Sequence, residues 1–420
     1  MRVLIVNTAE RTGGAAIAAN RLLHALNHNG VEARMLVRDR KTDSPEVVDI
    51  PQSWRLKANF LWERGCIWLA NGMSKRGIFQ VDIANAGTDI TAMPDFRDAD
   101  VIHLHWVNQG FLSLADLERI MASGKPVVMT MHDQWYFTGI CHYSGDCDKY
   151  RSQCCRCPML GSGIGVDLAR RVFDRKRAIY KGRNLTFAGC SRWIADLARK
   201  SRLTQGHTVT NVPNAIDTSV FSPMDKQQAR AMHKLPEDKR LVLFGAQRIT
   251  DERKGFRYLT EACECLLQSQ PELASQLGVV VLGGDAQSVK DALPLPVYAV
   301  NYLSGEAEIA SLYNAVDLFV TPSLQDNLPN TIVEAMSCGT PCVGFDVGGI
   351  PEMISHQRDG YVARYCDSQD FAQGIAWCLN KNRTGDLSLC ARENALVTYG
   401  EAAVARRYLD IYRAALVNHQ

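Results

Sequence analysis

The side chains best suited to chemistry are two carboxylates, Asp326 and Glu334, and two cations, Arg248 and Lys254. Asp326 and Glu334 flank the start of a short helical pattern. A carboxylate about one turn into such a helix can accept hydrogen bonds from two neighbouring hydroxyls, as a ribose offers. Arg248 and Lys254 follow an apolar run at 240–246. An arginine fork and a lysine point charge at the end of a strand can bracket a diphosphate. The four together suit a nucleotide sugar, with the backbone N–H groups near Asn327 and Leu328 turned toward an anion at the helix start. Plainer readings exist: Asp326 as a helix cap, and Arg248 and Lys254 as solvated loop charges.

A second group of residues lies in the first half. Gly13 and Gly14 precede a helical pattern, where paired glycines let a ligand approach the backbone or simply make a tight turn. His132 and Asp133 follow the apolar run 126–131, and His105, Trp106 and Asn108 follow the run before it. A His beside a carboxylate has a fixed tautomer and can donate to a sugar hydroxyl.

Of 14 cysteines, Cys141, Cys147, Cys154, Cys155 and Cys157 crowd into seventeen residues. In a reducing compartment that density argues for metal, and the spacing of Cys154 and Cys157 suits tetrahedral zinc. The expectation is a structural zinc on Cys141, Cys147, Cys154 and Cys157, with Cys155 or His142 as substitutes; two disulfides or packed free thiols are the other readings.

Elements that position these groups alternate as short apolar runs and helical patterns along nearly the whole chain, which predicts an α/β fold of parallel sheets with crossover helices. Strands are expected at 2–7, 33–37, 100–104, 126–131 and 185–188, and again at 240–246, 278–283, 297–300, 318–321 and 341–345. Two Rossmann-like domains follow, 1–210 and 211–398, divided near Pro213 and Asn214. Pro329 suits the first turn of the helix carrying Glu334, and Gly339 followed by Pro341 suits its end. The segment 399–420 is helical, with a stripe through Ala403, Tyr408, Ile411 and Leu416.

At 420 residues the chain is long enough for two domains. Its 46% hydrophobic and 22% charged residues are those of a globular protein, and its net charge of +2 provides no global attraction to nucleic acid. No apolar run reaches the ~20 residues a membrane crossing needs, and the start reads as a strand, so a cytoplasmic protein is expected. The glycine pattern is not that of a dinucleotide site, Leu36 and Val37 lead into Arg38 where NAD would want an acid, and a Walker loop is absent. The helix with Trp54, Trp62 and Trp68 reads as core, or as a surface resting on a bilayer. Arg170, Arg171, Arg175, Lys176 and Arg177 read as a solvated face or as contacts to an anionic membrane or lipid diphosphate.

Asp326 and Glu334 with seven residues between them, then Ala335, Met336, Gly339 and Pro341, resemble the acidic motif of the retaining glycosyltransferases of family 4. There the first acid is Glu; here Asp is one methylene shorter. The resemblance implies a GT-B fold, with two Rossmann-like domains facing across a cleft and a terminal helix, 399–420, crossing back to the first domain. By the same resemblance Glu334 holds the donor ribose, Arg248 and Lys254 the diphosphate, and Asp326, Asn327 and Leu328 the sugar. Gly13, Gly14 and His132 would approach the donor and acceptor, and a Cys-rich insertion, 141–158, belongs to a subset of the family. The implied activity is transfer of a sugar from a nucleoside diphosphate to a glycan or polyprenyl-linked acceptor in surface polysaccharide synthesis, with no cofactor required for catalysis and with peripheral membrane contact. A sugar-nucleotide epimerase and a non-catalytic metal or redox sensor are the alternatives.

Overall fold

The structure, a computed structural model, describes residues 1–161, 167–301, 303 and 305–417. The end of the expected terminal segment, 418–420, lies outside them. Two compact units are present: Met1–Asn214 together with the chain from Val404 onward, and Ala215–Ala403.

Each unit is built on one parallel sheet. In the first, β1 (Arg2–Ala9), β2 (Glu32–Asp39), β3 (Val47–Asp49), β4 (Val101–Leu104), β5 (Val127–Met131), β6 (Leu185–Gly189) and β7 (Thr208–Asn211) lie in the order β3-β2-β1-β4-β5-β6-β7. In the second, β8 (Arg240–Gly245), β9 (Leu277–Leu282), β10 (Val297–Val300), β11 (Leu318–Thr321), β12 (Cys342–Phe345) and β13 (Gly360–Ala363) lie in the order β10-β9-β8-β11-β12-β13. Every residue of β4, β5, β6, β11 and β12 is buried. That is why these strands appear in the sequence as predominantly apolar runs, interrupted only by His103, Thr130, Thr186 and Thr321. Both sheets are the doubly wound α/β arrangement expected. Their order reverses once, between β1 and β4 and between β8 and β11, and ligands of such sheets bind outside the carboxyl ends of the strands at that reversal.

The terminal helix, Glu401–Val417, buries Val404, Tyr408, Tyr412 and Ala415. The stripe expected on Ala403, Tyr408, Ile411 and Leu416 is thus shifted by one residue at three of its positions. The shift has a polar cause. Tyr412 Oη lies 2.7 Å from Nδ1 of His103 on β4, and Tyr408 Oη lies 2.9 Å from Oγ1 of Thr130 on β5, which is itself 2.7 Å from His103 Nε2. Two tyrosines that can bury a ring and still satisfy a hydroxyl take the inward positions.

His103 has no exposed surface, and burial lowers its pKa to about 3. Burial likewise lowers His105 and His207, and takes His132 to about 4. For His142 burial acts downward, but Asp133 and Asp82 outweigh it and raise the pKa. In the unfolded chain each His titrates near about 6.5. The four lowered groups are neutral when folded and take up protons on unfolding, so their stabilisation is complete above about pH 6.5 and is lost as pH falls toward the folded values. His142 opposes them with one proton. A drop from 6.5 to about 4 at His132 alone corresponds to about 3 kcal/mol. Urea unfolding followed by tryptophan fluorescence, which reports the first unit because only Trp377 of the seven tryptophans lies outside it, should show a clear loss of stability between pH 7.5 and 5. An unchanged midpoint would contradict the burial of these rings.

Candidate functional site

In the second unit, the loops following β8 and β11 meet at the reversal of strand order. The β8 loop carries Arg248 and then a tight turn, Glu252–Lys254, which the Asp251 side chain starts by accepting from Arg253 N at 3.0 Å. Gly255 ends the turn at φ +70 and begins helix Phe256–Ser269. A Cβ at Gly255 would sit 1.8 Å from the carbonyl oxygen of Pro322 in the β11 loop. Only glycine tolerates both the left-handed backbone and that approach. The Leu324 amide donates to Arg253 O at 2.8 Å, fastening the two loops.

This interlock delivers Lys254 to Asp326, with Nζ 2.8 Å from Oδ2. The Asp326 side chain is 13% exposed and that of Lys254 26%, so the pair is partly shielded but open to a ligand. The backbone of Asp326 is fixed from a third loop. Gly348, at φ +61, leaves no room for a Cβ, which would lie 1.8 Å from Asp326 O, and Gly349 N donates to the same oxygen at 3.3 Å.

Helix Asn330–Ser337 starts one residue later than its proline suggested: Pro329 is the N-cap and makes no side-chain cap. Asp326 is therefore not the helix cap, and its carboxylate goes to Lys254 instead. Gly339, at φ +80, closes the helix with Gly339 N donating to Met336 O and Thr340 N to Ala335 O, each at 2.9 Å, the paired bonds of a Schellman stop. Glu334 is buried one turn in, where Tyr313 Oη donates to its Oε2 at 3.0 Å. Burial first, then Glu334, pushes the Tyr313 phenol well above its ordinary range. Asn327 and Leu328 are buried between the two acids.

Arg248 is exposed. Its loop is braced by Asp285, beyond β9, whose carboxylate accepts from Ile249 N at 2.8 Å and Thr250 Oγ1 at 3.0 Å; these bonds hold its pKa below the usual range. The structure therefore brings Lys254 to Asp326 on interlocked loops, with Arg248 on the same β8 loop and Glu334 in the helix that follows Asp326. Sequence reasoning missed Asp285 and Tyr313. Each reaches its partner across more than twenty residues of chain, so no local spacing marks it.

Replacing Gly255 by alanine forces either the strained backbone or the Pro322 contact to yield. The expected loss is about 2–4 kcal/mol in chemical denaturation, together with weakened nucleotide binding. Unchanged stability would mean the two loops do not interlock.

In the first unit, Gly13 caps helix Gly14–His28 at φ +91 with open space around its Cβ position. His132, beyond β5, has Nε2 2.8 Å from His105 Nδ1 and Nδ1 3.4 Å from Cys190 Sγ. Asp133 does not orient it, contrary to the expected pairing. The Asp133 carboxylate accepts from Trp106 Nε1 at 2.9 Å and Trp135 N at 2.8 Å, and lies 2.7 Å from His142 Nδ1. These bonds outweigh burial and hold its pKa low.

Of the cysteines, Cys141 and Cys157 act on each other, which raises Cys141 and lowers Cys157 to about 7. Cys154 accepts from Gly139 N at 3.2 Å, and burial raises it to about 11. Buried Lys176 donates to the carbonyl oxygens of Trp135, Thr138 and Gly139. Among the described residues no three His, Cys, Asp or Glu are grouped so as to hold a metal ion. The expected set of Cys141, Cys147, Cys154 and Cys157 is thus not assembled as a cage, and zinc analysis of the purified protein decides the question. A cavity of ≈ 380 Å³ in this unit, lined by Cys66, Ile83, Leu114, Leu168 and Val172 among others, contains none of the expected site residues.

Residues 238–381 match the family model of group 1 glycosyl transferases. Among curated proteins, a D-inositol 3-phosphate glycosyltransferase of Catenulispora acidiphila is 27% identical over 330 residues, 76% of this chain and 71% of that protein. One from Stackebrandtia nassauensis is 34% identical over 178 residues, 40% of each chain. Among solved structures, sucrose-phosphate synthase from Thermosynechococcus elongatus matches with TM-score 0.65 and 18% identity over 100% of both chains. Anabaena HepE in complex with UDP matches with TM-score 0.62 and 15% identity, over 99% of this chain and 100% of that one. The fold is that of the GT-B glycosyltransferases, and a chain whose second unit carries a group 1 glycosyl transferase domain is a transferase enzyme.

Proposed function

We propose that this enzyme is a retaining glycosyltransferase whose second unit holds the nucleotide-sugar donor. The Lys254–Asp326 pair at the reversal of strand order carries the reading, because a cation and a sugar-binding acid stand together where such sheets take phosphorylated ligands. Glu334 accepts from the ribose hydroxyls. Arg248 and Lys254 take the diphosphate, and Asp326 with the amides of Asn327 and Leu328 takes the sugar.

The bond between the anomeric carbon and the diphosphate oxygen breaks, a bond from the acceptor oxygen forms on the same face, and the acceptor proton goes to the departing phosphate. Fixed positive charge meets the charge that develops on the leaving group, so activity should survive chelation of divalent ions. Gly13, Gly14 and neutral His132 serve the acceptor, His132 being held neutral by burial near pH 7.

UDP in HepE favours a UDP-sugar donor. The acceptor is a hydroxyl of a glycan or lipid-linked oligosaccharide in surface polysaccharide synthesis. A phosphorylated polyol is the second reading, favoured by the relatives' names. Thermal-shift screening with UDP, GDP, ADP and their sugars tests the donor, since a ligand bound only by the folded state raises its stability. Product analysis then distinguishes transfer with retention from inversion or epimerisation. No stabilisation by any nucleotide would end the reading.

A further inference from the structure

Helix Trp54–Ala70 is turned inside out. At about 100° of rotation per residue, Trp54, Leu61, Trp62 and Leu69 fall within about 100° of arc, with Leu56, Glu63 and Ile67 opposite. The second set is buried and the first is not: Trp54 is 76% exposed, Leu61 65%, Trp62 64% and Leu69 63%. Met73 and Phe79 just beyond the helix are exposed to the same degree. The core reading of this tryptophan stripe is therefore corrected.

Inside sits a polar network. Glu63 Oε1 accepts from Ile83 N at 2.9 Å and Ala84 N at 2.6 Å, and Arg64 Nη2 donates to Asp82 Oδ2 at 3.0 Å. Groups that usually seek water hold the helix to the first unit, and the side chains that usually seek a core are left facing solvent.

The charges around this face have one sign. Arg55, Lys57, Lys75 and Arg76 are exposed, and the one acid in residues 51–80 is the buried Glu63. Arg171, exposed on helix Leu168–Tyr180, lines the same cavity as Cys66 of the tryptophan helix and extends the basic surface.

We propose that the face bearing Trp54, Leu61, Trp62 and Leu69 docks on an anionic phospholipid bilayer. Tryptophan suits the boundary between acyl chains and headgroups, leucine the acyl side, and flanking lysine and arginine the lipid phosphates. No helix among the described residues is long and apolar enough to cross a membrane, so the contact lies on the surface. This inference is independent of the donor reading.

The test is vesicle flotation with the full chain, using phosphatidylcholine alone and phosphatidylcholine mixed with phosphatidylglycerol. Wild-type protein should float with the mixed vesicles, more weakly as salt rises, and its tryptophan emission should shift to the blue. Each of Lys57→Gln, Lys75→Gln and Arg76→Gln should weaken binding to mixed vesicles about fivefold at low salt. The triple variant Trp54→Ala/Trp62→Ala/Leu69→Ala should lose flotation while keeping wild-type circular dichroism and the nucleotide-induced thermal shift. Failure of wild-type protein to float, or flotation of the triple variant undiminished, would overturn the proposal. So would sedimentation showing a wild-type dimer that this variant converts to monomer, because a second copy would then cover the face.

Discussion

Replacement of Lys254 by methionine should lower kcat/KM by roughly 10²–10³-fold and abolish the thermal shift produced by a nucleoside diphosphate. Methionine keeps most of the stem and removes the charge, so the loss reports the cation rather than the packing. Two effects must be separated, because the same ammonium is paired with Asp326 at 2.8 Å. Removing it leaves a carboxylate of 13% side-chain exposure without this partner, which by itself costs about 1–3 kcal/mol of stability. Asp326→Asn removes the reciprocal charge and leaves Lys254 in place. If Lys254 serves the diphosphate and Asp326 the sugar, Lys254→Met loses binding of both the free diphosphate and the sugar nucleotide, whereas Asp326→Asn keeps the free diphosphate and loses discrimination between sugars. The double variant recovers stability without activity. If Lys254→Met retained the wild-type thermal shift, the pair would be a structural ion pair and the donor site would lie elsewhere. Arg248, being exposed, should give the smaller loss of the two cations.

The legible parts of this protein were those in which one segment carries its own reason. Strands β4, β5, β11 and β12 are buried at every position and mostly apolar because both faces are covered, and the sequence displays them as runs broken only by His103, Thr130 and Thr321. Glu334 and Gly339 could be placed because a helix stop and a carboxylate one turn in are local features. Strand β3 has three residues, and β7 has none that is fully buried; neither carries a pattern that a turn or a loop would not. The tryptophan helix misled for a different reason. Periodicity shows that the tryptophans share a face, but which face is inward depends on Asp82 and on the amides of Ile83 and Ala84, supplied by the following loop. At the candidate site, the residues proposed to touch a ligand were legible through their chemistry, while those that aim them were not. Tyr313 reaches Glu334 from the preceding helix, and Asp285 reaches the Arg248 loop from the next strand. Asp133 failed in the opposite sense. Adjacency in sequence to His132 suggested a pair, but consecutive side chains at a strand end point apart, and its carboxylate went to His142 and Trp106.

Glu334→Gln should weaken nucleotide binding by roughly 10²–10⁴-fold, since two hydrogen bonds to a charged acceptor contribute about 1.5–3 kcal/mol each. Glutamine is the informative replacement. Its carbonyl oxygen can still accept from Tyr313 Oη, so the buried phenol keeps a partner and the fold is retained. Alanine would leave that hydroxyl unpaired and mix a folding defect into the binding loss. The change leaves phosphate contacts intact, so its signature is a change in what the site recognises as well as a weakening. Wild-type protein should bind a ribonucleoside diphosphate more tightly than its 2′-deoxy counterpart, and Glu334→Gln should bind the two nearly alike. The four affinities form a double-mutant cycle whose coupling energy belongs to the contact between Glu334 and the ribose. Tyr313→Phe supplies the companion measurement: it removes one hydrogen bond that positions the glutamate, so it should lower affinity for both nucleotides by a smaller factor while preserving the preference for ribose. A variant with glutamine at 334 that still distinguished ribose from deoxyribose as well as the wild type would remove the ribose from Glu334. The buried acid would then serve only to anchor Tyr313 behind the helix.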